Sequence, residues 1–346
     1  MKRRTFLKRT AAAGAAALAG PAIVHAEDKA GSKNAVIGTG EHRYECVHGW
    51  GELPRQLRWE TTHGVCIDEE GLVYIKHQGV TKNAMDTIVV FDRDGKFVRS
   101  FGKEYYPGGH GIDVRTEGGE QFLYLSDIKH GIVAKTSLKG EVVWRKGVPQ
   151  EPKVYTKGKA YSPTNVAFAA DGGFYIGDGY GSHYIHQYDK DANWVRTWGG
   201  PGKEPGKMNT PHGLWLDDRP GREPALVVAD RANARLQYFT LDGKHLSFVN
   251  GLLFPAHFDI RGEVLMVPDL FGRVTLFDRD NKVITHLGED SKRIMADKAF
   301  KIRGNPKEWQ PGKFVHPHDA CFDKDGNIFV VEWVATGRVT FLRHVS

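Results

Sequence analysis

The sequence predicts an all-β protein, a six-bladed β-propeller, on three observations. One short pattern recurs six times, the copies lie as far apart as four short strands require, and tight-turn residues stand where helical periodicity would otherwise appear. Each copy opens on a small residue or proline and an anchor position. An apolar stretch, an acidic or glycine turn, a second apolar stretch and usually an acidic residue follow. In order the copies read THGVCIDEEGLVYIKH, GHGIDVRTEGGEQFLYLSD, PTNVAFAADGGFYIGD, PHGLWLDDRPGREPALVVAD, PAHFDIRGEVLMVPD and PHDACFDKDGNIFVVE. Their anchors are His63, His110, Thr164, His212, Ala256 and His318, spaced by 47, 54, 48, 44 and 62 residues.

The two apolar stretches are the inner strands of a blade. Third and fourth strands follow in several copies, as in TIVVFDRDGKFVRSFG (87–102) and YIHQYDKDANWVRTWG (184–199). The DRDG, DKDA and LDGK steps read as hairpin turns, because Asp and Gly supply the backbone conformations that a tight turn needs. The last copy ends one strand short, at VTFLRHVS, and HRYECVHGWGELP (42–54) reads as the strand that completes it. The ring is thus predicted to close through its termini. The longest spacing leaves room for an insertion at 289–313, either a lid or a surface excursion. The chain divides into 1–26, a signal peptide, 27–41, a linker, and 42–346, the propeller as one domain.

The N-terminus reads as a twin-arginine export signal: KRRTFLK at 2–8, an alanine-rich run from Thr10 to Val24, and a small-residue cleavage pattern, VHA. The run is short for a spanning helix and contains Gly14, Gly20 and Pro21, so no membrane anchor is expected after cleavage. A periplasmic or secreted monomer delivered by the twin-arginine machinery is the expectation. Cleavage removes Lys2, Arg3, Arg4, Lys8 and Arg9, which takes the formal charge from +6 to +1. No basic cluster with interleaved aromatics is left, so nucleic acid is not an expected partner. Cys46, Cys66 and Cys321 form no CxxC pair, and Cys66 and Cys321, each three residues after an anchor, read as small core residues.

Geometry gives the anchors a common place. The start of the first strand and the end of the second meet at one face of the disc, since the two run antiparallel. The anchors therefore share a rim with His77-Gln78-Gly79, Asp127-Ile128-Lys129, Asp178-Gly179-Tyr180, Asp230-Arg231-Ala232, Asp269-Leu270-Phe271 and Glu332-Trp333-Val334. His110, His212 and His318 belong to alternate blades, a near three-fold arrangement about the axis. Three imidazoles with a fourth position open suit catalytic zinc, and other first-row divalent ions accept the same ligands. His63 breaks the symmetry, as a contact behind the ligands or a substrate contact.

The stretch 178–239, from DGYGSHYIHQYDK to ADRANARLQYF, together with GGHGID and HPHDACFDKDGNIFV, resembles the peptidyl-α-hydroxyglycine α-amidating lyases, which are six-bladed propellers of the NHL-repeat type. The resemblance covers most of the chain after the signal. It implies zinc on His110, His212 and His318, a catalytic tyrosine at Tyr180, a catalytic arginine at Arg231 and a structural calcium held in part by Asp319. The implied reaction splits a carbinolamide, N–C(OH), into an amide and glyoxylate, with zinc polarising an oxygen and the tyrosine as general base. Two positions depart from the family. Gln78 stands where an arginine is expected, and His316 where a methionine is, so both become candidate substrate contacts. His316 is also a candidate for the coordination shell. The expected substrate is a small hydroxylated molecule or a peptide. A lactonase-like propeller hydrolase and an exported NHL-type binding module without catalysis are the alternatives.

Overall fold

A computed structural model describes residues 34–156 and 158–345. The expected signal peptide, 1–26, lies outside these residues. The described chain forms six antiparallel sheets, five of four strands and one of five. Five sheets are sequential meanders, each beginning with an inner strand: Thr61–Ile67, Gly109–Glu117, Val166–Phe168, Pro211–Asp217 and Asp259–Arg261. In the sixth, Pro317–Phe322, Ile328–Glu332 and Arg338–His344 are joined by His42–His48 and then by Val36–Thr39. The expected closure is present, with Cys46 opposite Leu342 and Tyr44 opposite His344. The linker expected at 27–41 needs a correction, because Val36–Thr39 pairs with His42–His48 as a fifth, outermost strand.

Alternation of side chains along each strand holds the ring together. Successive residues point to opposite faces of a sheet, so one strand feeds two different junctions. Val73 and Ile75 pack between the sixth and first blades, whereas Tyr74 packs between the first and second. Each of the six junctions has its own buried apolar cluster. Full burial of each such aliphatic side chain contributes about 1.5–3 kcal/mol. Cys66 and Cys321 lie in two of these clusters, and all three cysteines are free and buried.

The expected turns form by local hydrogen bonding. Asp92, Asp189, Asp278 and Asp323 each accept two backbone N–H bonds from residues two and four further on. In four blades the acidic residue closing the second strand does a different job. Asp178, Asp230, Asp269 and Glu332 accept N–H bonds from Ser162, Asn209, Phe254 and Val315, just ahead of the next-to-axis anchors. These bonds fix the loops from which the anchors project. Among the described residues helix is confined to short turns, including Ser291–Ala296 inside the insertion. That insertion is packed, with Ile294, Val315 and Val334 forming a small cluster.

Candidate metal centre and substrate cavity

The four histidine anchors differ from Thr164 and Ala256 in the backbone beneath them. Strand pairing shifts register across Thr62/Gly64, Gly109/Ile112, Pro211/Leu214 and Pro317/Asp319, which bracket His63, His110, His212 and His318. A bulge re-aims the side chain it carries, here toward the axis. Three of the rings are then tethered in the same way. Nδ1 of His110 lies 2.9 Å from the carbonyl of Thr164, Nδ1 of His212 lies 2.7 Å from that of Ala256, and Nδ1 of His318 lies 2.7 Å from that of His63. Each acceptor is the anchor of the next blade around the ring. Glycine permits the approach: a Cβ on Gly111 would sit 2.5 Å from the Thr164 oxygen, and one on Gly213 would sit 2.5 Å from that of Ala256.

A carbonyl only accepts, so Nδ1 carries the proton in all three rings and Nε2 presents a lone pair. Their ring centroids are 4.7, 4.8 and 4.9 Å apart, nearly equilateral. Burial, aided by the charge of Arg231, pushes His110 down to about 3 and His212 well below its usual value. His318 is pushed well below its usual value by burial and by neighbouring His63. The rings are therefore neutral at pH 7. Nε2 of His110 and Nε2 of His212 face each other at 3.1 Å, and the buried Nε2 of His318 has no hydrogen-bond partner among the described residues. Opposed lone pairs in a dry site call for a cation between them. The donor set fits a first-row divalent ion, and the tethers orient it as outer partners orient metal-bound imidazoles.

His63 is the fourth imidazole, and by ligand-atom distance alone a different triad emerges. Nitrogens of His63, His110 and His318 lie within 4.8 Å of one another. His63, however, lacks the carbonyl tether. Its Nε2 is 3.2 Å from Thr61 Oγ1, and its Nδ1 is buried without a partner. The tethered set of His110, His212 and His318 is the one with fixed tautomers and near three-fold geometry.

Above the rings lies a cavity of about 460 Å³ lined by His63, Gln78, Tyr180, Arg231, His316 and His318, with aromatic side chains opposite. The Tyr180 hydroxyl is 3.1 Å from Nε2 of His212 and 3.4 Å from that of His110. Nη1 of Arg231 donates to that hydroxyl at 2.8 Å. The guanidinium is buried, and its Nε and Nη2 have no partner among the described residues. Nδ1 of His316 donates to the Leu270 carbonyl at 2.6 Å, and its ring packs against Phe300 and Trp333 rather than against the triad. The structure thus brings Tyr180, Arg231, Gln78, His63 and His316 into one cavity. Ile128, Leu270 and Trp333 line it too, from positions equivalent to Gln78 and Arg231 in the repeat. Phe254 stands two residues before its anchor, as His316 does, so the repeat carried a signal for it, whereas Phe300 stands at no repeated position.

Asp319 lies on the other side of the rings, in a smaller buried cavity of about 170 Å³ with Asp113, His257 and Asp259. Its Oδ2 accepts from Val65 N–H at 3.0 Å and its Oδ1 from Ala320 N–H at 2.8 Å. Nε2 of His257 is 3.3 Å from Asp113 Oδ1. Burial works against charge on His257, but Asp319 and Asp113 overcome it and raise the imidazole to about 9. The group thereby contains its own cation. Calcium takes about six to eight oxygen ligands; the resemblance implies Asp319 together with backbone carbonyls, and no role is derived for calcium.

These features define an axial-histidine propeller. No family model matches the sequence. Among curated proteins, it is 30% identical to the rat peptidylglycine alpha-amidating monooxygenase over 168 residues, covering 46% of this chain and 16% of the relative. It is 29% identical to the probable peptidyl-alpha-hydroxyglycine alpha-amidating lyase pgal-1 of Caenorhabditis elegans over 171 residues, covering 48% of this chain and 45% of the relative. The chain thus spans less than half the length of these relatives. Among solved structures, virginiamycin B lyase from Staphylococcus aureus shares the fold, with a TM-score of 0.54, 12% identity, and coverage of 87% of this chain and all of that one. A Bacteroides thetaiotaomicron protein of unknown function aligns with a TM-score of 0.56 at 11% identity, over 86% of this chain and 76% of its own. The chain is thus similar, over a little under half its length, to peptide-amidating proteins, and it shares the fold of the two solved structures.

Proposed function

We propose that this chain is a zinc-dependent carbon–nitrogen lyase of the amidating-lyase type, acting on a carbinolamide that bears a carboxylate. One observation carries the reading: three tethered imidazoles aim lone pairs at one buried point directly beneath the Tyr180–Arg231 pair. The ion, held by His110, His212 and His318, would supply Lewis acidity toward a substrate oxygen. Tyr180 Oη takes the proton of the substrate hydroxyl, and Nη1 of Arg231 at 2.8 Å supports negative charge on that oxygen. As the C–O bond becomes C=O, the C–N bond breaks and its electron pair stays with nitrogen. The nitrogen then takes that proton from Tyr180, so the products are an amide and an α-oxo acid, with no water or oxidant consumed. The free Nε and Nη2 edge of Arg231 suits a carboxylate held by two parallel bonds.

Delivery by the twin-arginine route to the periplasm or outside the cell belongs to this reading, on the strength of residues 2–26. Among the described residues no helix is long and apolar enough to cross a membrane. Metal analysis of the purified protein tests the proposal. About one equivalent of zinc is expected, with loss of both metal and glyoxylate release in His212→Ala. A wild-type protein that stays metal-free after refolding with zinc, or a His212→Ala variant that keeps its metal, contradicts it.

A further inference from the structure

Resting on the lyase reading, we propose that the substrate is an N-aroyl α-hydroxyglycine: a compact monoanion whose amide carries an aromatic acyl group, rather than an extended peptide. The cavity's volume of about 460 Å³ is that of a small-molecule site. Its charge inventory is one-sided: among the described residues that line it, Arg231 is the lone fixed cation and none is a carboxylate. An anion with no positive group therefore matches it. Gln78, where a second arginine is expected from the resemblance, offers an amide that both donates and accepts, which pairs with a neutral acyl amide and not with a second charge.

The remaining wall is made of rings. Phe254 and Phe271 stand 5.3 Å apart at 41°, and Phe300 and Trp333 stand 6.0 Å apart at 77°. These are separations and tilts at which a further ring packs by edge or offset face. Each ring is held from behind. Arg231 lies over Phe254 at 5.1 Å, and Arg303 stacks on Trp333 at 3.7 Å while its Nε donates to the Trp333 carbonyl. Phe300 comes from the insertion at 289–313 and takes a left-handed backbone conformation with φ of 52°, which is unusual for a bulky residue. The residue is 48% exposed and lines the cavity. A strained, half-exposed phenylalanine beside a ring-lined cavity is accounted for by an apolar ligand beneath it. Through Phe300 the insertion contributes one wall of the site.

The test measures glyoxylate release by the zinc-loaded protein from three probes: N-benzoyl-α-hydroxyglycine, N-acetyl-α-hydroxyglycine and an Ala-Ala dipeptide ending in α-hydroxyglycine. The expected kcat/KM for the benzoyl compound exceeds that for the acetyl compound by about 100-fold. Phe300→Ala is expected to bring that ratio down about tenfold, and because this side chain is half exposed the variant should fold. Equal kcat/KM for benzoyl and acetyl, or preference for the dipeptide, overturns the aromatic assignment while leaving the lyase reading intact. No glyoxylate from any of the three overturns both.

Discussion

Two buried clusters share the axis of this propeller and solve the same electrostatic problem in opposite ways. Above, His110, His212 and His318 are all neutral, all tethered through Nδ1, and left with lone pairs converging on one point. Below, Asp113, Asp259 and Asp319 surround His257, whose imidazolium neutralises part of their charge. Asn165 joins the two. Its amide nitrogen, oriented to suit its neighbours, bonds the carbonyls of Thr164 and His212 at 2.9 and 3.1 Å, and its oxygen faces His257. What the difference teaches is where a metal could be held. The upper cluster offers three converging nitrogens to an external cation, whereas the lower one is held by a charge the chain itself supplies.

The comparison can be broken from either end. The largest effect is expected for His212→Ala, which removes one of three ligands. Zinc content should fall below about 0.1 equivalents and turnover by at least ~1,000-fold, as an open three-ligand site cannot hold its ion on two. Arg231→Ala should retain zinc, read by metal analysis, while kcat/KM falls by roughly 100–1,000-fold, the loss typical of one fixed donor to developing charge. Gly213→Ala probes the tether rather than a ligand. Its Cβ would displace the Ala256 carbonyl that orients His212, so zinc affinity in a competition titration should drop about 10–100-fold.

The lower cluster should answer in stability rather than in metal. His257→Gln leaves buried carboxylates without their cation, and denaturant unfolding should show a loss of about 3–5 kcal/mol. Calcium chelation should leave the unfolding midpoint of the wild type unchanged. The pH dependence has a definite sign. The pKa of His257 is higher in the folded chain, about 9 against 6.5. Its contribution is fully present below pH 6.5 and is lost as pH rises through 9. Burial also raises Asp319 to about 8 and Asp259 to about 7, which acts in the same direction. Tm should therefore decline steadily between pH 6.5 and 9, and His257→Gln should flatten the upper part of that decline.

Much of this was legible because a propeller writes its geometry into a repeat. The anchors placed four histidines on one rim, and the residues after the second strands placed Gln78, Arg231 and, one residue on, Tyr180 beside them. The same alignment carried a further signal. Positions three after the anchors are Cys66, Asp113, Trp215, Asp259 and Cys321 in five blades, and all five line the lower cavity. Three residues of strand advance the chain by about 10 Å along the axis, so this second ring lies one level below the first. His257 was hidden because it follows an alanine anchor, and its role depends on carboxylates from other blades. Phe300 was hidden for another reason: it belongs to an insertion that has no counterpart in the repeat. The strand at Val36–Thr39 pairs with the neighbouring hairpin arm and has only four residues, too few for alternation to separate it from linker.

The central claim is that a metal ion lies on the axis between His110, His212 and His318. Anomalous diffraction at the zinc absorption edge from crystals of the purified protein tests it most directly. The account predicts one axial peak about 2.0–2.1 Å from each of the three Nε2 atoms. A peak bonded to His63 in place of His212, or no axial peak in crystals grown from zinc-loaded protein, would contradict it.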